Sequence, residues 1–470
     1  MKRTIYIMLF TVLLSVLTAC KVSKDIEKPM ATLPENFRNA VSNDTTSIST
    51  IPWKQFFTDP ALQNIIDSAI VKNYDMQLAI KNIEAAQLLL KQTKWAYFPS
   101  VTAQISAGTN RPSDNSLNGL SASQFLKTVH VEDYTASINF SWEADIWGKI
   151  KNQRAGVLAS YLQSEAAKKF IQTNIVATLS QGFYNLLMLD EQLAIAQKNI
   201  RLNDSTLNIM RLQYTAGQVS ALGLQQAEAQ QMVAAALMPQ LEQDIVIQEN
   251  ALSILSGELP AEIKRETVMV NTAIPGDLAA GIPSALLSSR PDIKSAELDL
   301  TIANARVGIS KANMYPSLTI SAAAGFNSFK ASNWFNIPAS LFGMVAGGIA
   351  QPVFQKKQLT TAYELAKVNR EKTVILFRQS VLNAVGEVSD ALVKIDKLKS
   401  QQAIVNKQVN TLQAAIKNAS LLFNTGMANY LEVITAQSNV LQSELALAAI
   451  NRAQAAAKIE LYKSLGGGWN

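Results

Sequence analysis

The segment from Asp133 to Glu143 reads DYTASINFSWE, in which aromatic and aliphatic side chains alternate with polar ones. A period of two residues is typical of a β-strand, because successive side chains point to opposite faces of the sheet. One face of this strand would be apolar throughout, whereas the other would carry Asp133 and Glu143 and would be too hydrophilic for a protein core. The pattern therefore predicts a strand with one face in lipid and the other in water.

Three other segments carry similar patterns. Residues 100–107 alternate in the same way, residues 318–326 repeat the alternation, and a weaker, glycine-rich strand is predicted between Leu341 and Pro352. Any one of these segments would also suit a soluble β-sandwich. A length of about 10 residues and the aromatic content favour a membrane barrel for the set. The polar stretches 110–132 and 328–340 are predicted to be the loops between the strands.

Four strands cannot close into a barrel by themselves. The smallest single-chain barrels have about eight strands, and an open sheet edge in lipid leaves backbone groups unpaired. A dimer would supply eight strands, but an interior of that size is filled by side chains. We therefore predict a homotrimer in outer-membrane lipid, with a twelve-stranded β-barrel around a water-filled lumen.

The two halves of the chain carry matching signals. Residues 95–102 read WAYFPSVT and residues 312–319 read ANMYPSLT, while residues 214–217 read YTAG and residues 423–426 read FNTG. Both matches occur in the same order at a separation of about 210 residues, which indicates a duplication. The chain should therefore contain two internal structural repeats.

The sequence between these signals is helical. Apolar residues recur at spacings of three and four, at Leu186, Leu189, Leu193, Ala196, Ile200, Leu207 and Met210, with Asn203 in the same series, and again at Val405, Val409, Leu412, Ile416, Ala419 and Phe423. A sustained 3.5-residue repeat indicates coiled-coil packing, and a helix of about 60 residues is roughly 90 Å long. Gly217 and Gly426 mark the turn of a helical hairpin in each half. The fold class is therefore an α+β membrane protein, in which a long α-helical coiled-coil barrel continues the β-barrel.

The first 20 residues have the organisation of a bacterial lipoprotein signal. Lys2 and Arg3 precede an apolar run, which ends in Leu17-Thr18-Ala19-Cys20. The run of about 12 apolar residues is too short to cross a bilayer, so we predict that it is cleaved. Cys20 is the only cysteine, and we expect it to carry a covalent lipid, although an ordinary signal peptide would also end in this way. Lys21, rather than Asp, after the lipidated residue favours the outer membrane.

Composition argues against catalysis and against nucleic-acid binding. The chain has one histidine, His130, which lies in a predicted loop without a second ligand to join it. No phosphate-binding glycine loop is present in the sequence. The net charge is only +6 over 470 residues, and basic residues do not cluster with aromatic ones. We therefore expect no enzyme, no metal, no cofactor other than the covalent lipid, and no nucleic-acid partner.

Three motifs carry a resemblance to a known family. RPDI at 290–293 followed by Ala296-Glu297, EADIWGK at 143–149 and LGGGW at 465–469 resemble the TolC-like outer membrane efflux proteins, in particular the NodT/OprM-like lipoproteins of RND-type tripartite pumps. The resemblance implies a passive outer-membrane channel for small molecules or drugs, with its helices in the periplasm. It also implies a periplasmic adaptor protein and an inner-membrane RND-type transporter as partners. An exit duct for type I protein secretion and a non-conducting structural lipoprotein are the alternatives.

The resemblance further implies a gate just past the hairpin turns, where family members commonly carry acidic residues. By position the candidates are Glu432 and Thr435 in the second half, and Gly223 and Gln226 in the first half. Only Glu432 is acidic. In a trimer it would form a ring of three carboxylates that attracts cations, and an ordinary solvated glutamate is the alternative.

The turns themselves are candidate contacts for the adaptor, because Val or Met in an exposed turn is more apolar than solvation requires. The alternative is a glycine helix cap with indifferent neighbours. The positions are Gly217, Gln218, Val219, Gly426, Met427 and Ala428. Arg290 and Asp292 are expected to be structural, with Pro291 at the start of a helix.

The chain is expected to divide into five parts. They are a signal peptide at 1–19, a lipidated N-terminal and equatorial segment at 20–60, a first efflux repeat at 61–257, an equatorial linker at 258–290 and a second efflux repeat at 291–470.

Overall fold

The computed structural model describes residues 34–38, 47–267, 269 and 279–470. The signal segment and Cys20 lie outside the described residues. The chain forms two compact units. The first combines Glu84–Leu162 with Leu298–Ile375, and the second combines Gln163–Glu297 and Leu376–Asn470 with the described residues up to Ile83.

The first unit contains one antiparallel sheet of four strands in the order β1-β2-β3-β4. The strands are β1 (Ser100–Asn110), β2 (Val131–Ala144), β3 (Ser317–Ser328) and β4 (Leu341–Ala350). Ser100 lies opposite Ser141, and Ser317 lies opposite Ala350. The strand ends that adjoin helices are therefore at one end of the sheet, which we call the helix-side end. All four predicted strands are confirmed.

The helices of the described residues differ greatly in length. They are α1 (Trp53–Phe56), α2 (Pro60–Lys72), α3 (Tyr74–Thr93), α4 (Leu117–Ser121), α5 (Lys149–Thr215), α6 (Ala221–Leu255), α7 (Leu286–Ser289), α8 (Pro291–Ala312), α9 (Gln358–Asn424) and α10 (Tyr430–Ser464). In the part of the chain that is described, no helix is both long enough and apolar enough to cross a membrane.

The long helices confirm the internal duplication. In the first half α5 has 67 residues and α6 has 35, and in the second half α9 has 67 and α10 has 35. The Pro-Ser signals of the sequence therefore mark the starts of β1 and β3, and the glycine signals mark the turns of two equal hairpins. Pro239 lies inside α6 without ending it.

The predicted coiled-coil series forms much of the core of the second unit. Leu186, Ala196 and Met210 are fully buried, and so is Asn203. Near the hairpin turns, one apolar cluster joins α5, α6, α9 and α10 through Leu207, Met210, Ala227, Phe423 and Val433. The 3.5-residue pattern therefore identified the buried face of α5 correctly.

The N-terminal and C-terminal segments of the described chain pack together in the second unit. The ring of Phe56 stacks on that of Tyr462 at a centroid distance of 4.1 Å. The Tyr462 hydroxyl donates a 2.6 Å hydrogen bond to the carbonyl of Ile51, and burial raises the pKa of Tyr462 to about 12. Lys169 lies 3.8 Å from the ring centroid of Trp469, a cation–π contact that holds the last residues of the chain.

One predicted loop contains structure that the sequence pattern did not indicate. Residues 117–121 form the short helix α4, and the hydroxyl of Ser116 caps it by accepting a 3.1 Å hydrogen bond from the backbone N–H of Gly119. Serine is among the residues favoured at a helix N-cap, and this preference is the local cause of the helix start. His130 lies in the same loop and is exposed, as expected.

Candidate functional site

The register of the sheet separates a polar face from an apolar one. Residues directly opposite each other on neighbouring strands share a face. On the polar face, Asn327 donates hydrogen bonds of 2.6 Å to Asp133 and 2.8 Å to Thr135. The apolar side chains of the other face are Val101, Ala103, Ile105, Ala107, Tyr134, Ala136, Ile138, Phe140, Trp142, Leu318, Ile320, Ala322, Ala324, Phe326, Leu341, Val345 and Ile349.

Aromatic side chains lie at both ends of the apolar face. At the end away from the helices, Tyr134 lies 5.5 Å from Trp334, which stacks on Phe335 at 5.0 Å. At the helix-side end, the indole N–H of Trp142 donates a 2.9 Å hydrogen bond to the carbonyl of Tyr97. Tyr134 and Trp142 are eight residues apart on β2, which is about 26 Å along a strand. Aromatic girdles about 25 Å apart are typical of strands that cross an outer membrane.

The EADIWGK motif fixes the junction between β2 and α5. The carboxylate of Asp145 accepts hydrogen bonds from the backbone N–H groups of Ile150 and Lys151, at 3.0 and 2.9 Å, and so caps the helix. The indole N–H of Trp147 donates a 2.6 Å hydrogen bond to the carbonyl of Pro316. This bond links the junction of the first half to the start of β3, so the motif has a structural role.

The RPDI motif forms an ion-pair cluster in the second unit. Arg290 donates hydrogen bonds of 2.6 Å to Asp292 and 2.7 Å to Glu387, and a third of 2.9 Å to the carbonyl of Ser464. Burial acts to lower the pKa of Arg290, but the two carboxylates outweigh burial and raise it. Pro291 begins α8, as predicted. The cluster ties the start of α8 to α9 and α10.

Both hairpin turns use a glycine in the left-handed region. Gly217 has φ +74° and Gly426 has φ +76°, and a side chain at either position would meet no atom within 4 Å. Backbone conformation, rather than space, therefore requires glycine there. The amide N–H of Gln218 donates to the carbonyl of Gln213 at 2.8 Å, and that of Met427 donates to the carbonyl of Leu422 at 2.8 Å.

The predicted adaptor-contact positions are not equally exposed. Gly217, Gln218, Gly426 and Met427 are exposed, and Met427 exposes 72% of its surface. Ala428 is half-buried. Val219 is also half-buried and packs on the apolar cluster of the hairpin ends, so the expectation of an exposed valine was wrong. Its apolar character has a packing cause.

The four predicted gate positions form two pairs, one at the start of α6 and one at the start of α10, and they differ in environment. Glu432 and Thr435 are exposed on α10, and Gln226 is exposed on α6. Gly223 is buried, and a Cβ placed there would lie 3.0 Å from the ring of Tyr430. Gly223 therefore allows the ring of Tyr430 to pack closely on α6, and it offers no side chain to a gate. The backbone N–H groups of Leu431 and Glu432 donate to the Asn429 side chain, which caps α10.

Two bonds between the hairpins were not predicted from sequence. The Tyr430 hydroxyl donates a 2.7 Å hydrogen bond to the side-chain oxygen of Gln226. The side-chain amide of Gln437, which is 1% exposed, donates a 2.7 Å hydrogen bond to the hydroxyl of Thr206. Asn203, the polar residue in the apolar heptad series, bonds to Asn199 within α5 and therefore indicated neither of these two contacts. These bonds join the hairpin of one half to that of the other.

Comparisons with known proteins agree with this architecture. The family model described as "outer membrane efflux protein" matches residues 65–258 and 282–467. The chain is 26% identical to the cation efflux system protein CusC of Escherichia coli O6:H1 over 456 residues, which is 96% of each chain. It is 25% identical to the probable outer membrane lipoprotein SilC of Salmonella typhimurium over 458 residues, which is 97% of each chain. The solved structure of the outer-membrane channel OprN superposes with a TM-score of 0.87 at 24% identity, covering 96% of this chain and 100% of that one.

Proposed function

Because this chain belongs to the outer membrane efflux protein family and acts in efflux at the outer membrane, we propose that three copies form the channel of a tripartite efflux system. One observation carries the proposal: a sheet of four strands whose two edges, β1 and β4, each pair on one side only within the described chain. Since an unpaired edge is costly in lipid, β1 of one copy would pair with β4 of the next.

The segregated faces of the sheet support a water-filled lumen. Asp133, Asn139 and Glu143 lie on the face opposite the aromatic girdles. Three copies provide twelve strands, and a barrel of that size is wider than the eight-stranded barrels that side chains fill. The polar face would line the lumen, and the apolar face would meet lipid.

The hairpin ends are the proposed meeting point with a periplasmic adaptor protein, which in turn would couple the channel to an inner-membrane RND-type transporter. Exposed Met427 and the two glycine turns offer an apolar, backbone-rich surface for such a contact. The four gate positions Glu432, Thr435, Gly223 and Gln226 lie within the first two turns of the helices that leave these turns. A constriction there would control passage.

A lipid on Cys20 is the proposed membrane anchor of the N-terminal segment. The lipobox-like sequence before Cys20 supports it, and the relative SilC is named a probable outer membrane lipoprotein. The channel would be passive and would have no catalytic site. We propose small molecules as the cargo, with selection made by the inner-membrane transporter. CusC is named for cation efflux, but that name describes the relative.

The test is the oligomeric state and conductance of the full chain. Purified protein should run as a heat-modifiable trimer in detergent and should form water-filled pores in planar bilayers. A monomer, or a trimer that never conducts after its hairpin ends are loosened, would support the structural-lipoprotein alternative. Loss of export of a secreted protein, with drug and metal tolerance unchanged, in a strain without the gene would favour the protein-secretion duct.

A further inference from the structure

Four residues that follow β4 combine exposed apolar surface with positive charge. Val353 and Phe354 are 95% and 82% exposed, and Lys356 and Lys357 are exposed as well. Neither ammonium group forms an ion pair or a hydrogen bond with any described residue. These four residues, Val353, Phe354, Lys356 and Lys357, are called the β4 anchor below.

The apolar part of the anchor adjoins the lipid-facing side of the sheet. Val345 and Ile349 lie on the apolar face of β4, whose last residue, Ala350, pairs with Ser317 at the helix-side end of the sheet, and Val353 follows three residues later. The anchor therefore lies at the helix-side end of the sheet, at the depth where an apolar band gives way to water.

The two lysines occupy strained backbone positions. Lys356 has φ 48° and Lys357 has φ 61°, whereas left-handed residues are usually Gly, Asn or Asp. Two consecutive lysines in the left-handed backbone region cost conformational free energy. Strained backbone of this kind is commonly found at residues that take part in ligand binding or another function. The left-handed pair makes the turn from the sheet into α9 at a point where glycine would be less strained.

The opposite edge of the sheet has the same composition at the same level. Lys94 follows α3, and it is followed by Trp95 and Phe98, which are 71% and 61% exposed with ring centroids 5.4 Å apart. Both sheet edges thus place apolar side chains and lysine together at the helix-side end. Lysine beside apolar residues is the combination that extends its ammonium group to lipid headgroups while its methylenes stay in the apolar layer.

We propose that the β4 anchor binds an anionic phospholipid of the leaflet that faces the helices. Phe354 and Val353 insert among the acyl chains, and Lys356 and Lys357 hold the headgroup phosphate. The inference rests on the proposed insertion of the sheet in the outer membrane. It goes beyond that function by giving the channel a lipid-binding site.

The test is a lipid-selectivity measurement on the full-length trimer in phosphatidylcholine vesicles. Spin-labelled phosphatidylglycerol should associate several-fold more strongly than spin-labelled phosphatidylcholine, up to about fivefold per lysine at low ionic strength. The double variant Lys356→Gln/Lys357→Gln should lose most of this preference. A matched control, Lys407→Gln/Lys417→Gln, removes the same charge from exposed positions of α9 in the second unit and should keep the preference.

Two further arms separate the other occupants of the site. Excess inorganic phosphate at constant ionic strength should leave the selectivity unchanged, and its loss would assign the lysines to a free anion. Brominated phospholipid should quench the fluorescence added by Phe354→Trp, and unquenched emission would place the apolar pair against a second copy of the chain. Trimers that conduct but show no phosphatidylglycerol preference overturn this inference alone, whereas a wild-type chain that never forms trimers counts against the proposed function.

Discussion

The hydroxyl of Tyr430, the first residue of α10, donates a 2.7 Å hydrogen bond to the side chain of Gln226 on α6. The two residues are 204 positions apart and belong to different repeats. The same tyrosine ring lies over Gly223, where an added Cβ would approach to 3.0 Å. Tyr430 therefore holds the ends of the two hairpins together both by packing and by a polar bond.

Removal of this hydroxyl should loosen the hairpin ends. Because a single hydrogen bond contributes about 1 kcal/mol, Tyr430→Phe should raise the open probability of single channels in planar bilayers by up to about fivefold. Gly223→Ala should act in the same direction, since its methyl group displaces the ring. Tyr214→Phe, a change at an exposed tyrosine near the turn of the first hairpin, is the control and should leave gating unchanged. If all variants have the same open probability, Tyr430 does not control the gate.

Glu432 is the acidic candidate among the gate positions, and its exposure suits a contribution to ion selectivity. In the proposed trimer, Glu432→Gln should reduce the preference for cations over anions, because it removes three like charges near the axis. Reversal potentials under a salt gradient measure this ratio. Glu371→Gln, an exposed carboxylate of α9, should change it less. If the reversal potential of Glu432→Gln equals that of wild type, Glu432 is an ordinary solvated glutamate.

The strands and the duplicated hairpins were predictable because they follow from local periodicity. The alternation in 133–143 fixes the faces of β2, and Gly217 and Gly426 mark turns that only a left-handed residue makes well. The contacts between halves were not predictable, because Tyr430 and Gln226 meet only when two distant hairpins pack. Half-burial of Val219 depends on the same tertiary packing.

The requirement for glycine in the hairpin turns can be separated from the general effect of adding a methyl group. Gly426→Ala should destabilise the trimer by about 1 kcal/mol per chain, because alanine is strained at φ +76° although no atom lies nearby. Gly386→Ala, also in open space but inside α9 without a positive φ, should stabilise by a similar amount. Thermal unfolding followed by circular dichroism compares the two. If both variants shift the unfolding temperature in the same direction, the left-handed conformation of the turn does not determine the effect of Gly426→Ala.

Arg265 forms a partly buried ion-pair cluster that ties the segment after α6 to two helices. It donates hydrogen bonds of 2.7 Å to Asp190 on α5 and 2.5 Å to Glu249 on α6, and its side chain is only 12% exposed. Burial acts to lower the pKa of Arg265, but the two carboxylates outweigh it and raise the pKa. The guanidinium group therefore stays charged in this site.

Truncation of Arg265 should destabilise the second unit more than its contacts alone suggest. Arg265→Ala leaves Glu249 buried without its partner, which should cost about 3 kcal/mol in denaturant unfolding. The double variant Arg265→Ala/Glu249→Gln should recover part of that loss, because the uncompensated charge is gone. If Glu249→Gln adds to the loss instead of reducing it, the desolvated charge is not the cause.

Acid should weaken the cluster at the start of α8. Burial acts to raise the pKa of Asp292, but Arg290 outweighs burial and lowers the pKa below its usual value near 4. A lowered carboxyl pKa stabilises the folded state fully above the unfolded-state pKa, and this stabilisation is lost as pH falls through the folded-state pKa. Unfolding of wild type should therefore show a loss of stability below about pH 4 that is smaller in Asp292→Asn, while the variant is already less stable at neutral pH. Denaturant midpoints measured from neutral to acidic pH check both statements, and parallel curves for the two proteins would show that other carboxylates govern the acid response.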